Sequence, residues 1–414
     1  MEHIFRHKYG QLVAVLMKRF GSQHLPEIED AVQFAMMRAL EFWVIDGEPH
    51  DAGAWLYQVA YRKLLSTLKG EHRRKEILTQ SIAQDKAFVS HQADVPLPGE
   101  MNDSLLRALF FACHPNIPTA SQIVFLLKSL LGFDVKEIAL RLFLSEENVY
   151  KRYTRARLAL KDKSTSLEDA SELEIDRRIP AVLNVLYTVF TEGYLSSHSD
   201  MAIRKDLCTE AIRLGEVLLK SRYGNKPNLR ALLALMYLHL SRLHGRQGGE
   251  GHLLLLEEQD RSLWSTNDIA QGLQLLQDSA EGTQISRYHI EAGIAAEHCL
   301  APSFKETRWQ HIVKSYELLE QVTGSPLVFL NRVLALAEWK GLEQALDLLN
   351  GYQAPPPFSR SYHWFAVEAD LLGRQKKDLT RARTLAKESI RLAPNSHIAR
   401  VLKERFISFL SEEA

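Results

Sequence analysis

Residues 134–157 read DVKEIALRLFLSEENVYKRYTRAR, and two short helices with a tight turn between them are written into that stretch. Asp134 and Glu137 have the spacing at which an N-cap oxygen accepts from the N3 amide while the N3 carboxylate reaches back. Ile138, Ala139 and Leu142 then recur at helical spacing as one apolar stripe. Phe143 and Leu144 make the connection, and Ser145 supplies a cap for the next helix. There Val149, Tyr153, Ala156 and Leu160 take one side, and Asn148, Lys151, Arg152, Arg155 and Arg157 the other. Two helices, a short turn and a basic outer face make a helix-turn-helix. Arg and Asn on such a face suit guanine and adenine edges, while Lys and Ser suit phosphate. A solvated basic helix would explain the charges, but not the caps and turn before them.

Helical periodicity continues in both directions. Phe5, Tyr9, Leu12, Leu16 and Phe20 form a stripe that Gly21 closes. A second helix carries Ile28, Val32, Ala35, Met36, Ala39 and Trp43 and stops near Gly47. A third, from about Gly53 to Arg74, buries Leu56, Val59, Ala60, Leu64 and Leu68. Residues 81–101 have no period and read as a linker; helices resume near Asp103 and run to about Lys161. The polar tract 162–171 gives a second boundary. Beyond it, amphipathic stretches alternate with Gly, Pro and Asn breaks. Ala382, Ala386, Ser389 and Pro394 have the spacing of a tetratricopeptide (TPR) unit, echoed weakly around 331–349 and 211–235. No strand pattern is long enough for a sheet, so the expected fold is all-α.

Charge is local rather than global. The 414 residues hold 51 Lys and Arg against 51 Asp and Glu, with 46% hydrophobic and 25% charged residues. That composition excludes wholesale disorder and any overall attraction to nucleic acid or membrane. Residues 62–75 nevertheless carry Arg62, Lys63, Lys69, Arg73, Arg74 and Lys75 against Glu71 alone. Trp55 and Tyr57 stand just ahead of them, and rings interleaved with cations suit unpaired bases and their phosphates. A core role for those rings is equally consistent with the spacing.

The remaining constellations point away from catalysis. Cys113, Cys208 and Cys299 are scattered. His3 and His7 have the spacing of a metal pair but lack a third ligand, so no metal is expected. Glu257, Glu258 and Asp260 are expected to pair with Arg261 or to cap a helix, and Glu192, Gly193 and Tyr194 fit a ligand groove and a Gly-capped helix C-terminus equally well. Trp309, Trp339 and Trp364 are expected in the core of the array. Without a phosphate loop, dinucleotide fingerprint or nucleophile elbow, no enzyme activity and no cofactor are expected. The absence of a secretion signal or membrane span predicts a cytoplasmic protein without membrane partners.

At this point the chain resembles a family. Residues 30–43, DAVQFAMMRALEFW, look like the polymerase-binding helix of bacterial sigma-70-type factors, and residues 53–60, GAWLYQVA, like their −10-reading segment. The helix-turn-helix resembles their −35-reading domain. Residues 111–115, 178–194 and 255–264 narrow the resemblance to extracytoplasmic-function (ECF) sigma factors with a long C-terminal TPR-like extension. It implies a helical domain over 1–78 that binds core polymerase and the −10 element, and a linker over 79–102. A −35 helix-turn-helix domain over 103–163, a linker over 164–175 and a TPR-like regulatory array over 176–414 follow. The implied partners are promoter DNA and core RNA polymerase, through its β′ clamp helices and β flap, with a regulatory protein or peptide at the array. Asp30, Gln33 and Arg38 would meet polymerase. Trp55, Arg62, Lys63, Arg73 and Arg74 would lie at the −10 element; Asn148, Lys151, Arg152, Arg155 and Arg157 would serve the −35 element. The family usually has Asn where Arg62 stands, Asp at Ser66, Gly or Ala at Glu147 and Thr at Asn148, which leaves the promoter sequence open. The rival is an ordinary helix-turn-helix regulator with a ligand- or peptide-sensing array, which would not need the 30–43 helix.

Overall fold

The structure, a computed structural model, describes residues 2–79, 96–142, 144–161, 172–194, 203–248, 253–281, 284–356, 358–394 and 396–410. Regular structure among these residues is helical, the β-type contact being one isolated bridge between Gln247 and Leu253. The chain divides into two compact units, Met1–Val185 and Leu186–Ala414.

In the first unit, α1 (Glu2–Phe20), α2 (Leu25–Asp46) and α3 (Ala52–Thr79) form a bundle. Ile28, Val32, Ala35 and Ala39 of α2 and Leu56, Ala60 and Leu64 of α3 are fully buried. The alanines between the larger side chains let the two helices approach closely, and each buried Leu or Ile contributes roughly 1.5–3 kcal/mol. α1 buries more than its predicted stripe: Val13, Ala14 and Val15 are inside as well. The reason is a second neighbour, α4 (Pro98–Ala112), packed on another side of α1.

α4 begins earlier than Asp103, where the sequence predicted helices to resume. Pro96, Pro98 and Gly99 read as breakers, yet Pro98 occupies the first turn, where its missing N–H costs nothing. The Leu97 amide donates to the Glu100 carboxylate at 3.0 Å and fixes the start. Then come α5 (Thr119–Phe125), a π-helical turn Leu126–Leu130, α6 (Val135–Leu142) and α7 (Glu146–Lys161). The π turn passes so close to α1 that a Cβ on Gly10 would lie 2.1 Å from the Leu130 carbonyl oxygen. The polar tract 162–171 and most of the 81–101 linker lie outside the described residues.

α8 (Glu172–Tyr194) contains the division between the units. Gly193 does not act as a cap. A Cβ there would come within 2.8 Å of the Arg204 carbonyl oxygen, so close approach is what its glycine serves. The second unit continues with α9 (Lys205–Leu219), α10 (Pro227–Leu240), α11 (Thr266–Asp278) and α12 (Arg287–Leu300). It ends with α13 (Trp309–Thr323), α14 (Pro326–Lys340), α15 (Leu342–Asn350), α16 (Tyr362–Gln375), α17 (Leu379–Arg391) and α18 (Ser396–Leu410). Consecutive helices pack on one another, as in a helical array. Ala382, Ala386 and Ser389, the predicted repeat positions, are fully buried, with Phe406 and Phe409 among the core partners of the two alanines. Trp309 and Trp364 pack against core clusters as expected. Trp339 does not: it is 37% exposed and carries the Lys340 ammonium 4.5 Å from its ring.

Candidate nucleic-acid interface

The caps read from the sequence form. The Glu137 amide donates to Asp134 Oδ1 at 2.7 Å, and the Asp134 amide to Glu137 Oε2 at 3.0 Å, closing the box ahead of α6. The Asn148 amide donates to Ser145 Oγ at 3.2 Å at the start of α7. Val149, Tyr153, Ala156 and Leu160 are buried beneath that helix. Asn148, Lys151 and Arg155 are exposed, whereas Arg152 and Arg157 are half-buried on its flanks. Lys151 pairs with Glu147 at 2.6 Å. Tyr150 and Leu158 are also more than half exposed on this helix, which the stripe of cations did not indicate.

On α3 the aromatic residues separate. The Tyr57 and Tyr61 rings are buried; the Tyr57 hydroxyl accepts from Arg19 at 3.1 Å, and the Arg19 guanidinium lies 4.7 Å from the Tyr61 ring. Tyr57 is therefore core. Trp55 is half-buried, edge-on to buried Trp43 at 5.5 Å. Arg62 and Lys63 are exposed, with Lys63 5.1 Å from the Phe34 ring. α3 runs to Thr79, past Arg73, Arg74 and Lys75, whose side chains lie outside the described residues, as do those of His3 and His7.

Asp30 and Gln33 are exposed on α2; half-exposed Arg38 donates to Glu41 at 2.6 Å and stacks 4.5 Å from the Phe42 ring. Sequence reasoning missed what continues their face. Met37, Leu40 and Val44 are 58%, 47% and 69% exposed, at the spacing that carries one helix stripe on from Asp30 and Gln33. The signal was a second apolar period on α2, offset from the buried one.

Between the α2 and α7 faces lies a buried polar cluster. The Glu29 carboxylate, 4% exposed, accepts from Lys128 Nζ at 2.6 Å, Ser129 Oγ at 2.6 Å and the Tyr153 hydroxyl at 2.9 Å. Lys128 and Ser129 sit on the π turn. Burial, together with the Glu29 charge, raises the Tyr153 phenol far above its ordinary range and raises Tyr9 similarly.

In the second unit two of the predicted carboxylates cap helical turns, the second of the two roles their sequence allows. Glu258 accepts from the Leu255 amide at 2.7 Å, Asp260 from the Ser262 amide at 2.9 Å, and Glu257 binds Arg405. Arg261, their expected partner, donates instead to the carbonyls of His298 at 2.6 Å and Ala301 at 2.8 Å. The described residues contain no group of metal-ligating side chains and no helix long and apolar enough to cross a membrane.

Comparison with known proteins gives three family matches. Residues 4–74 match sigma-70 region 2, residues 108–160 match sigma-70 region 4, and residues 178–280 match a family of unknown function (DUF6596). An uncharacterized protein of Rhizobium meliloti (strain 1021) is 30% identical over 405 residues, covering 98% of this chain and 94% of its own length. No solved structure matches.

Proposed function

The chain belongs to the sigma-70 family of transcription initiation factors, and from that premise we propose that it is an ECF-type sigma factor working in the cytoplasm with a built-in regulator. Its action is binding rather than catalysis: it joins core RNA polymerase and selects promoter DNA. In this reading Asp30, Gln33 and Arg38, continued by Met37, Leu40 and Val44, dock on the β′ clamp helices. Trp55, Arg62, Lys63, Arg73 and Arg74 hold the −10 element and its melted strand. Asn148, Lys151, Arg152 and Arg155 enter the −35 major groove, with Arg157 at its edge, while the region-4 unit meets the β flap. Bases trapped on side chains favour the open DNA, and base-edge contacts give specificity.

The observation that carries the reading is the exposed stripe on α2. A DNA-binding regulator that never joins polymerase has no use for an apolar-and-acidic face there. Co-elution of the full chain with core polymerase tests it; a protein that binds promoter DNA yet elutes apart from polymerase belongs to the ordinary-regulator class.

The second unit is larger than promoter recognition requires, and a helical array offers surface for a peptide or partner helix. It acts in cis on initiation. A chain ending at Val185 should still bind polymerase, and its transcription should differ clearly from that of the full chain at matched concentration. Equal output across several promoters would leave the array outside initiation.

A further inference from the structure

The segment Leu255–Trp264 and the turn that follows α10 enclose an unusual concentration of positive charge. Arg242 is only 7% exposed. Its Nη2 reaches Gln259 Oε1 at 3.5 Å, the limit of a hydrogen bond, and its Nε has no partner. Arg261 satisfies Nη1 on two carbonyls, but its buried Nη2 has none. The two guanidiniums share one indole, lying 5.1 Å and 4.5 Å from the Trp264 ring centroid. Trp264 Nε1, His239 Nδ1 and His298 Nδ1 are further buried nitrogens without partners. Nearby Arg246, which donates to the Tyr194 carbonyl at 2.8 Å, adds a third cation.

Among the described residues, no carboxylate pairs with any of these three arginines. The acids of the same segment are committed elsewhere, Glu257 to Arg405 and Glu258 and Asp260 to backbone amides. Cation–π contact and carbonyl dipoles offset part of the cost of burying a guanidinium, but they leave the net charge and the orphaned N–H groups in place. The unbalanced field also appears in the histidines. Burial, with Arg242 and Arg261 beside it, pushes His298 down to about 3, and His239 is lowered in the same way. Neither imidazole therefore adds positive charge at neutral pH.

We propose that the Arg242–Arg261 pair around Trp264 is an anion site in the C-terminal array that takes a small oxyanion, the phosphoryl or carboxylate group of a metabolite or the free ion. Arg242 Nε and Arg261 Nη2 each leave a buried N–H without a partner, and a charge-assisted hydrogen bond to an anion oxygen would satisfy both. The proposal does not depend on promoter recognition, because its readout is binding.

The test uses the full chain in phosphate-free buffer, with sodium phosphate and sodium acetate titrated separately against sodium chloride at matched ionic strength. Thermal unfolding and Trp fluorescence follow the chain, and the Arg242 variants assign any change to the array. A saturable rise of about 5–10 °C is expected at hundredfold excess over Kd, and the more effective of the two salts identifies the phosphoryl or carboxylate class. Arg242→Met should abolish the rise, while Arg222→Met, an exposed control, should retain it. If Arg242→Met does not fold, Arg242→Lys, which keeps charge but loses the fork, should weaken binding at least roughly tenfold. An unfolding transition that ignores both anions, or one that Arg242→Met or Arg242→Lys shifts as far as the wild type, overturns the site.

Discussion

Replacing Tyr153 by Phe and Lys128 by Met, separately, should loosen the first unit by unequal amounts, and the order follows from the Glu29 cluster. Tyr153→Phe removes one hydroxyl donor at 2.9 Å from a carboxylate that keeps Lys128 and Ser129. A hydrogen bond to a charged group is worth about 1.5–3 kcal/mol, and the two remaining donors place this loss at the lower end. Lys128→Met strips the countercharge from a side chain that is 5% exposed. Breaking a buried pair in this way costs about 3–5 kcal/mol, because the remaining carboxylate stays desolvated. Global denaturation reports on both units at once, so hydrogen exchange of amides in α2 and in residues 126–131 is the assay that reads this cluster by itself. Exchange should quicken roughly tenfold for Tyr153→Phe and by a hundredfold or more for Lys128→Met. Equal effects, or exchange unchanged in Lys128→Met, would refute the assignment of Glu29 as a buried hub that pairs with Lys128. On the proposed reading of α7 at −35 and α3 at −10, whose DNA elements lie about 85 Å apart along B-DNA, the same variants should also help free protein engage a promoter, because the Tyr153–Glu29 bond ties α7 to the helices that include α3.

Further expectations concern the two faces and the histidines. Asp30→Ala with Gln33→Ala should leave folding intact and weaken binding to core polymerase by about 2 kcal/mol or more, the scale of a hot-spot pair; unchanged co-elution would remove α2 from the docking surface. Arg152→Ala and Arg155→Ala should each cost about 1–3 kcal/mol and relax preference at one base position, measured by competition binding. A uniform loss across sequences with a shallower salt slope would move that arginine to phosphate contact, and no loss at either would reject α7 as the reader. His298 is held near 3 in the folded chain but protonates near 6.5 when unfolded, so its contribution is complete above pH 6.5 and is lost as pH falls toward about 3. The array's Tm should therefore drop between pH 6.5 and 5, and His298→Gln should reduce that slope; a slope unaltered by the substitution would contradict the buried neutral imidazole.

What could be read in advance was whatever rests on local chemistry. Asp134, Glu137 and Ser145 act on amides within one turn, so their caps were legible letter by letter. So was the Val149–Leu160 stripe, because one helix face must be buried wherever the helix packs. Of the two roles open to the acids beside Arg261, capping is the one realised by Glu258 and Asp260; the partners of Arg261 itself could not be read, because the carbonyls of His298 and Ala301 come from α12 and the residues just after it, and only the tertiary path brings them near. The Glu29 hub was likewise invisible, its three donors lying on the π turn and on α7. Pro98 misled because proline both ends helices and starts them, and the difference lies in whether an N–H is needed at that position. Tyr57 could not be decided from spacing, since a ring beside cations looks the same whether it awaits a base or fills a core.

The ion pairs of Arg405 change how the array should be thought of as a polymer. A stack of helical repeats is close to one-dimensional, able to fray from its end and to tolerate loss of terminal units. Here the last helix is bound backward twice, to Asp370 on α16 at 2.6 Å and to Glu257, 148 positions earlier in the chain. That second link joins α18 to the irregular turn that interrupts the helices between α10 and α11. The end of the chain thus behaves less like a free terminus than like a clasp. Unwinding α18 must release the turn around Glu257 at the same time, so the C-terminal helix shares in the cooperative unfolding of much earlier helices. Trimming the array one helix at a time from its C-terminus would open a loop before it shortened a stack.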